Sequence, residues 1–93
     1  MNKVAIVTGA GTGVGKATAV KLSDAGFRVI LIGRRKDKLE ETKTVCNDKA
    51  LVLPMDVSNE VEVKKCFETI KNNFSRIDLL FNNAGTFLSS KTI

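Results

Sequence analysis

Residues Thr8 to Gly15 read T-G-A-G-T-G-V-G, and four of the chain's seven glycines (Gly9, Gly11, Gly13 and Gly15) alternate through them. An apolar run, Val4-Ala5-Ile6-Val7, comes before this stretch, and a helix-period pattern begins at Val14. Strand, glycine loop and helix start together can hold a phosphate on the first backbone N–H groups of the helix. A flexible turn is the plainer reading, but a turn needs only one or two glycines. Four at alternating positions let a backbone approach a pyrophosphate and let the helix pack tightly on the strand. Three other groups of residues have types suited to ligands. They are the basic cluster Arg34-Arg35-Lys36-Asp37-Lys38, the pair Asp56-Val57, and the run Asn82-Asn83-Ala84-Gly85.

The elements that must position these residues alternate between strand and helix. Val4 to Thr8 reads as a first strand. Val14, Ala17, Thr18, Leu22 and Ala25 recur at helical spacing and give a first helix. Gly26 ends it, with Phe27 placed to touch Leu22 in a Schellman cap. Val29 to Ile32 is a second strand stopped by Gly33, and residues 36–46 form a more polar helix presenting Leu39, Thr42, Val45 and Cys46. Ala50 to Leu53 is a third strand closed by Pro54, the only proline. Ser58 is the expected N-cap of a third helix, with Glu60 and Glu62 where the helix dipole favours anions. That helix carries Val63, Phe67, Ile70 and Phe74 on one face, and Ile77 to Phe81 is a fourth strand.

All four strands are continuous apolar runs, as expected when helices cover both faces of a parallel sheet. Right-handed crossovers with a reversal after the third strand give the order 3-2-1-4, half of a doubly wound Rossmann-type α/β fold. One domain, residues 1–93, is expected. Ligands in such a sheet sit outside the C-terminal strand ends at the point of reversal. The glycine loop, the arginines, Asp56-Val57 and the asparagine run all fall at those ends. One glycine-rich loop is a weak signal; four suited turns at the correct ends are a strong one.

The basic cluster then bears on which ligand. Cations at a helix N-terminus oppose the dipole, so the cluster is poorly placed for stability alone. An NAD site would carry an acid about 20 residues past the loop, for the ribose 2′-hydroxyl. Here Gly33 is followed by Arg34 and Arg35, which suit a 2′-phosphate, so NADP is expected over NAD. Thr12 adds no second cation within the loop. Asp56 either caps the turn that follows it or accepts from an adenine amino group, with the Val57 N–H serving a ring nitrogen. Asn82 and Asn83 end a strand readily, but two adjacent amides beside the first strand also suit backbone tying and ribose contacts.

Composition excludes other classes. The net charge of +5 comes from Lys and Arg that are mostly scattered and cluster only at residues 34–38, and the five Phe have no Tyr, Trp or His to form a stacking platform with, so nucleic acid is not an expected partner. No run approaches the roughly 18 apolar residues of a membrane span. The N-terminal apolar run of four residues is short of the roughly 7–15 of a signal peptide, and the cytoplasm is the expected compartment. Cys46 and Cys66, without His or C-x-x-C, read as small hydrophobes on helices separated by the sheet.

Taken in order and spacing, T-G-A-G-T-G-V-G, Asp56-Val57 and N-N-A-G resemble the short-chain dehydrogenase/reductase family, over essentially the whole chain. The resemblance implies that Gly9, Thr12, Gly13, Val14 and Gly15 surround the pyrophosphate and adenosine ribose. It also implies that Asp56 and Val57 hold adenine, and that Asn83, Ala84 and Gly85 line the nicotinamide ribose side. Hydride transfer between NADP(H) and a carbonyl or alcohol substrate follows as the expected activity of the intact enzyme. The departure from the family pattern is that its catalytic Tyr-x-x-x-Lys, Ser and later Asn have no counterpart, since the chain contains no tyrosine. Ser89-Ser90-Lys91 falls too soon after the fourth strand and reads as a loop. The chain is therefore expected to be a cofactor-binding N-terminal part, inactive alone, with catalytic and oligomer-forming segments further along. Two other classes compare poorly or differ in kind. A methyltransferase would want an acid after the second strand, and a complete non-catalytic dinucleotide-binding or sensor module needs no tyrosine.

Overall fold

A computed structural model of the chain describes residues 3–47, 49–56, 58–74 and 77–82. The elements run β1 (Val4–Thr8), α1 (Gly13–Asp24), β2 (Arg28–Gly33), α2 (Lys36–Thr44), β3 (Leu51–Pro54), α3 (Glu60–Phe74) and β4 (Leu79–Asn82). The four strands form one parallel sheet in the order β3-β2-β1-β4, as expected. Register brings Thr8 opposite both Ile32 and Asn82, and Gly33 opposite Pro54, so all four strands end along one rim.

Each apolar run splits by strand alternation between two cores. Val4 and Ile6 of β1 and Ile30 and Ile32 of β2 face α3, where Val63, Phe67 and Ile70 meet them. Val7, Val29 and Leu31 face the other way, against Ala19 of α1 and Leu39 of α2. Helices therefore cover both faces. Cys46 packs on the α1–α2 side and Cys66 on the α3 side, both free. Burial pushes both thiols up, Cys66 to about 11.

The expected helix forms, and of the residues at helical spacing Leu22 packs half-buried on the second core while Val14 is 64% exposed. The residues that α1 buries are Gly15, Ala19 and Ser23. These sit four apart and are small, so the helix backbone lies close to the sheet. A stripe of glycine, alanine and serine has no apolar periodicity to read. The end of α1 is as expected: Gly26 takes a φ of +97°, its N–H donates to Ser23 O (3.0 Å), and the Phe27 N–H donates to Leu22 O (3.0 Å). That is the paired bonding of a Schellman cap.

The start of α3 shifts by one residue. Asn59 Oδ1 accepts from the N–H groups of Val61 (3.0 Å) and Glu62 (3.2 Å), so Asn59 is the cap and not Ser58. Ser58 is engaged elsewhere: its N–H (2.9 Å) and hydroxyl (2.6 Å) both donate to Asp56 Oδ1. Strand and helix limits differ from expectation by a residue or two, β3 including Pro54 and β4 beginning at Leu79. Asn59→Ala is expected to lower stability to unfolding by about 0.5–2 kcal/mol, the range for a lost N-cap. Ser58→Ala should cost less in the same denaturation measurement, and the reverse order would contradict the assignment.

Candidate functional site

Where the rim carries the glycine loop, a cleft of about 210 Å3 opens between the loop and α2. Gly9, Gly11 and Thr12 line one wall; Gly33, Arg34, Arg35, Lys38 and Leu39 line the other.

The loop is held at Ala10. Its N–H donates to Ile32 O of β2 (3.1 Å), and its carbonyl accepts from the buried Thr42 hydroxyl of α2 (2.8 Å). Thr42 Oγ1 also lies 3.3 Å from Lys38 O in its own helix, so its single proton is shared, with the shorter bond going to Ala10. On either side, Gly9 (φ +63°) and Gly13 (φ +58°) adopt the left-handed backbone that side chains resist. Gly11 is needed for a different reason. A Cβ there would stand 2.8 Å from Lys38 Cβ, so its absence lets α2 close against the loop.

Thr12 precedes α1 in extended conformation and its side chain makes no capping bond. The Lys16 N–H donates to Thr12 O (3.2 Å), which leaves the N–H groups ahead of it pointing out of the helix end. Gly13 and Val14 are exposed at that end, whereas Gly15 is buried on the sheet side. A helix end of this kind can hold an anion, with the positive end of the helix dipole behind it.

The opposite wall carries the cations. Arg35 Nη2 lies 3.1 Å from Asp37 Oδ2, and both side chains are exposed. Loss of solvent works upward on the Asp37 carboxyl, but the Arg35 charge and hydrogen bonds outweigh it and lower its pKa. Arg34 makes no hydrogen bond or ion pair with the described residues. Lys38 Nζ lies 3.7 Å from Glu41 Oε2.

Asp56, past the end of β3, shows the capping role that was one of its two readings. Oδ1 takes the two bonds from Ser58, and Oδ2 takes none from the described residues. The Ser58 hydroxyl, then its N–H, and to a smaller extent Arg34 hold the carboxyl below its usual range. Those bonds favour the charged form, so what they add to stability is present above the ordinary carboxylate range. It is lost as pH falls through the depressed folded value. At the far end of the rim, the buried Thr8 hydroxyl lies 3.1 Å from Asn82 Oδ1 and 3.5 Å from Phe81 O, tying β1 to β4. Val57, Asn83, Ala84, Gly85 and the Ser89-Ser90-Lys91 run lie outside the described residues.

A family model described as short chain dehydrogenase matches residues 3–93. The chain belongs to the short-chain dehydrogenase family. An uncharacterized oxidoreductase of Staphylococcus aureus is 42% identical over 91 residues, which cover 97% of this chain and 39% of that protein. A crystal structure of a short chain dehydrogenase from Bacillus anthracis superposes with a TM-score of 0.81 at 42% identity, over 87% of this chain and 34% of that one. A metagenomic short-chain oxidoreductase solved in complex with NADP gives 0.78 at 30% identity, over 84% of this chain and 37% of that one. The chain thus spans 39% of the length of the curated relative. No helix among the described residues is long and apolar enough to cross a membrane.

One residue of the cleft and one that holds its loop leave no mark in the local sequence. Lys38 stands in the basic cluster without a role of its own, and its place against the loop follows only from the packing of α2 on Gly11. Thr42 was read only as part of a core face, and a hydroxyl aimed at a loop carbonyl 32 residues away leaves no local trace. Thr42→Val should destabilise the protein by about 1–3 kcal/mol, because it strands the buried Ala10 carbonyl. Thr42→Ser, which keeps the hydroxyl, should lose less in the same denaturation experiment; the opposite order would contradict the clamp.

Proposed function

We propose that this chain is the NADP-binding portion of a short-chain oxidoreductase that passes hydride between NADP(H) and a carbonyl or alcohol carbon. The observation that carries the cofactor choice is Arg34. It lies at the mouth of the cleft, just past β2, where an NAD site would place a carboxylate, and it makes no hydrogen bond or ion pair with the described residues. A guanidinium in that place suits a ribose 2′-phosphate. The donor set fits the rest of an adenine dinucleotide: helix N–H groups for the pyrophosphate, and a cleft of about 210 Å3 for the adenosine ribose end.

In this reading Gly9, Gly11, Thr12, Gly13, Val14 and Gly15 surround the pyrophosphate and adenosine ribose. Arg34 faces the 2′-phosphate while Arg35 beside it is turned to Asp37, Asp56 Oδ2 and the Val57 N–H meet the adenine, and Asn83, Ala84 and Gly85 line the nicotinamide ribose side. The bound nicotinamide supplies or accepts the hydride. The residues of this chain bind and orient: the clamped loop fixes the pyrophosphate, and the tie between Thr8 and Asn82 holds the strand ends between which the nicotinamide half extends. None of the 93 residues is a tyrosine, so we assign proton transfer and the substrate pocket to the remainder of the intact enzyme. A second reading is a dinucleotide-binding module without catalysis, since the fold alone does not imply a reaction. The two part on turnover: the second binds NADPH and reduces nothing.

Arg34→Ala should weaken NADPH binding by about 1.5–3 kcal/mol, the range for hydrogen bonds to charged groups, and leave NADH nearly unchanged. Titration of both cofactors checks this, and equal losses would show that Arg34 does not read the 2′-phosphate.

A further inference from the structure

Resting on the NADP reading above, we propose that the second cation for the 2′-phosphate is Lys38 of α2, not the Arg35 that follows Arg34 in sequence. Arg35 closes the N-terminus of α2 with 69% of its side chain exposed, and its Nη2 is turned to Asp37 at 3.1 Å. Lys38 is placed differently. Its stem lies against the glycine loop, so closely that a Cβ on Gly11 would stand 2.8 Å from its own Cβ. Its side chain is 36% exposed, and it lines the cleft with Gly11, Thr12 and Arg34.

Three physical points follow from that placement. A stem already confined against the loop loses less rotamer freedom when its ammonium meets an anion. Its ion pair with Glu41, 3.7 Å long and three residues on, is an exposed contact of little worth that a phosphate displaces readily. Finally, Lys38 is in the first turn of α2, where a cation opposes the helix dipole until an anion arrives. Arg34 from the turn after β2 and Lys38 from the first turn of α2 then line the same cleft, together with Thr12, whose side chain makes no capping bond. The second cation that the glycine loop lacks comes from the helix packed on it.

The test is titration of the protein with NADPH and NADH for wild type, Lys38→Met, Lys38→Arg and Arg35→Met. Lys38→Met keeps a stem of similar length against Gly11. It should weaken NADPH by about tenfold, the low end for a hydrogen bond to a charged group, and leave NADH within about twofold. Lys38→Arg should restore most of the preference, and Arg35→Met should leave NADPH within about twofold. If Lys38→Met proves poorly folded by thermal melting, Lys38→Gln replaces it with the same expectation. A wild-type protein that prefers NADPH and keeps that preference in Lys38→Met overturns the assignment of Lys38 alone. So does a loss confined to Arg35→Met. A wild-type protein with no preference for NADPH overturns the NADP reading beneath it.

Discussion

The site depends on one peptide. Ala10 gives its N–H to Ile32 of β2 and takes the Thr42 hydroxyl of α2 on its carbonyl. The glycine loop is thereby fixed to the strand that presents Arg34 and to the helix that presents Lys38. Both bonds lie away from water, where a missing partner costs more than a made bond contributes. Left-handed glycines, Gly9 and Gly13, stand on either side of this tied peptide. The glycine loop and the wall that carries Arg34 and Lys38 are thereby joined through one pair of hydrogen bonds.

Small residues make that joining possible. Gly15, Ala19 and Ser23 bring α1 down onto the sheet, and Gly11 brings α2 up against the loop. Each close approach aims something at the rim: α1 its free N–H groups, α2 its cations. The cations at the start of α2 oppose its dipole, and the contacts that offset this are exposed pairs of little worth, Arg35 with Asp37 and Lys38 with Glu41. On the far side, the pair formed by Thr8 and Asn82 closes the rim between β1 and β4, where the strand order reverses.

Much of this was legible in the residues. The apolar runs, the glycine punctuation and the two directions of crossover were enough for the strand order, because a parallel sheet with covered faces leaves few alternatives. Most of the loop and Arg34 could be placed from type and spacing. What was not legible depended on contacts rather than patterns. Most of the packing face of α1 leaves no apolar pattern, because Gly15, Ala19 and Ser23 are too small to register as hydrophobic. Asn59 took the cap from Ser58 because Asp56 had already engaged the serine, a competition settled by geometry among three polar neighbours. The Thr42 clamp and the closeness of Lys38 to the loop depend on how α2 packs, which no local pattern records.

The central claim is that the wall formed by Arg34 and its neighbours receives a dianionic phosphate on the adenosine ribose. Phosphorus NMR of the 2′-phosphate of NADP+, titrated with pH free and bound to the protein, reads that contact directly. Cations against the phosphate favour its dianion, so the bound resonance is predicted to change at a lower pH than the free one. A bound 2′-phosphate that titrates as it does in free solution would contradict the account.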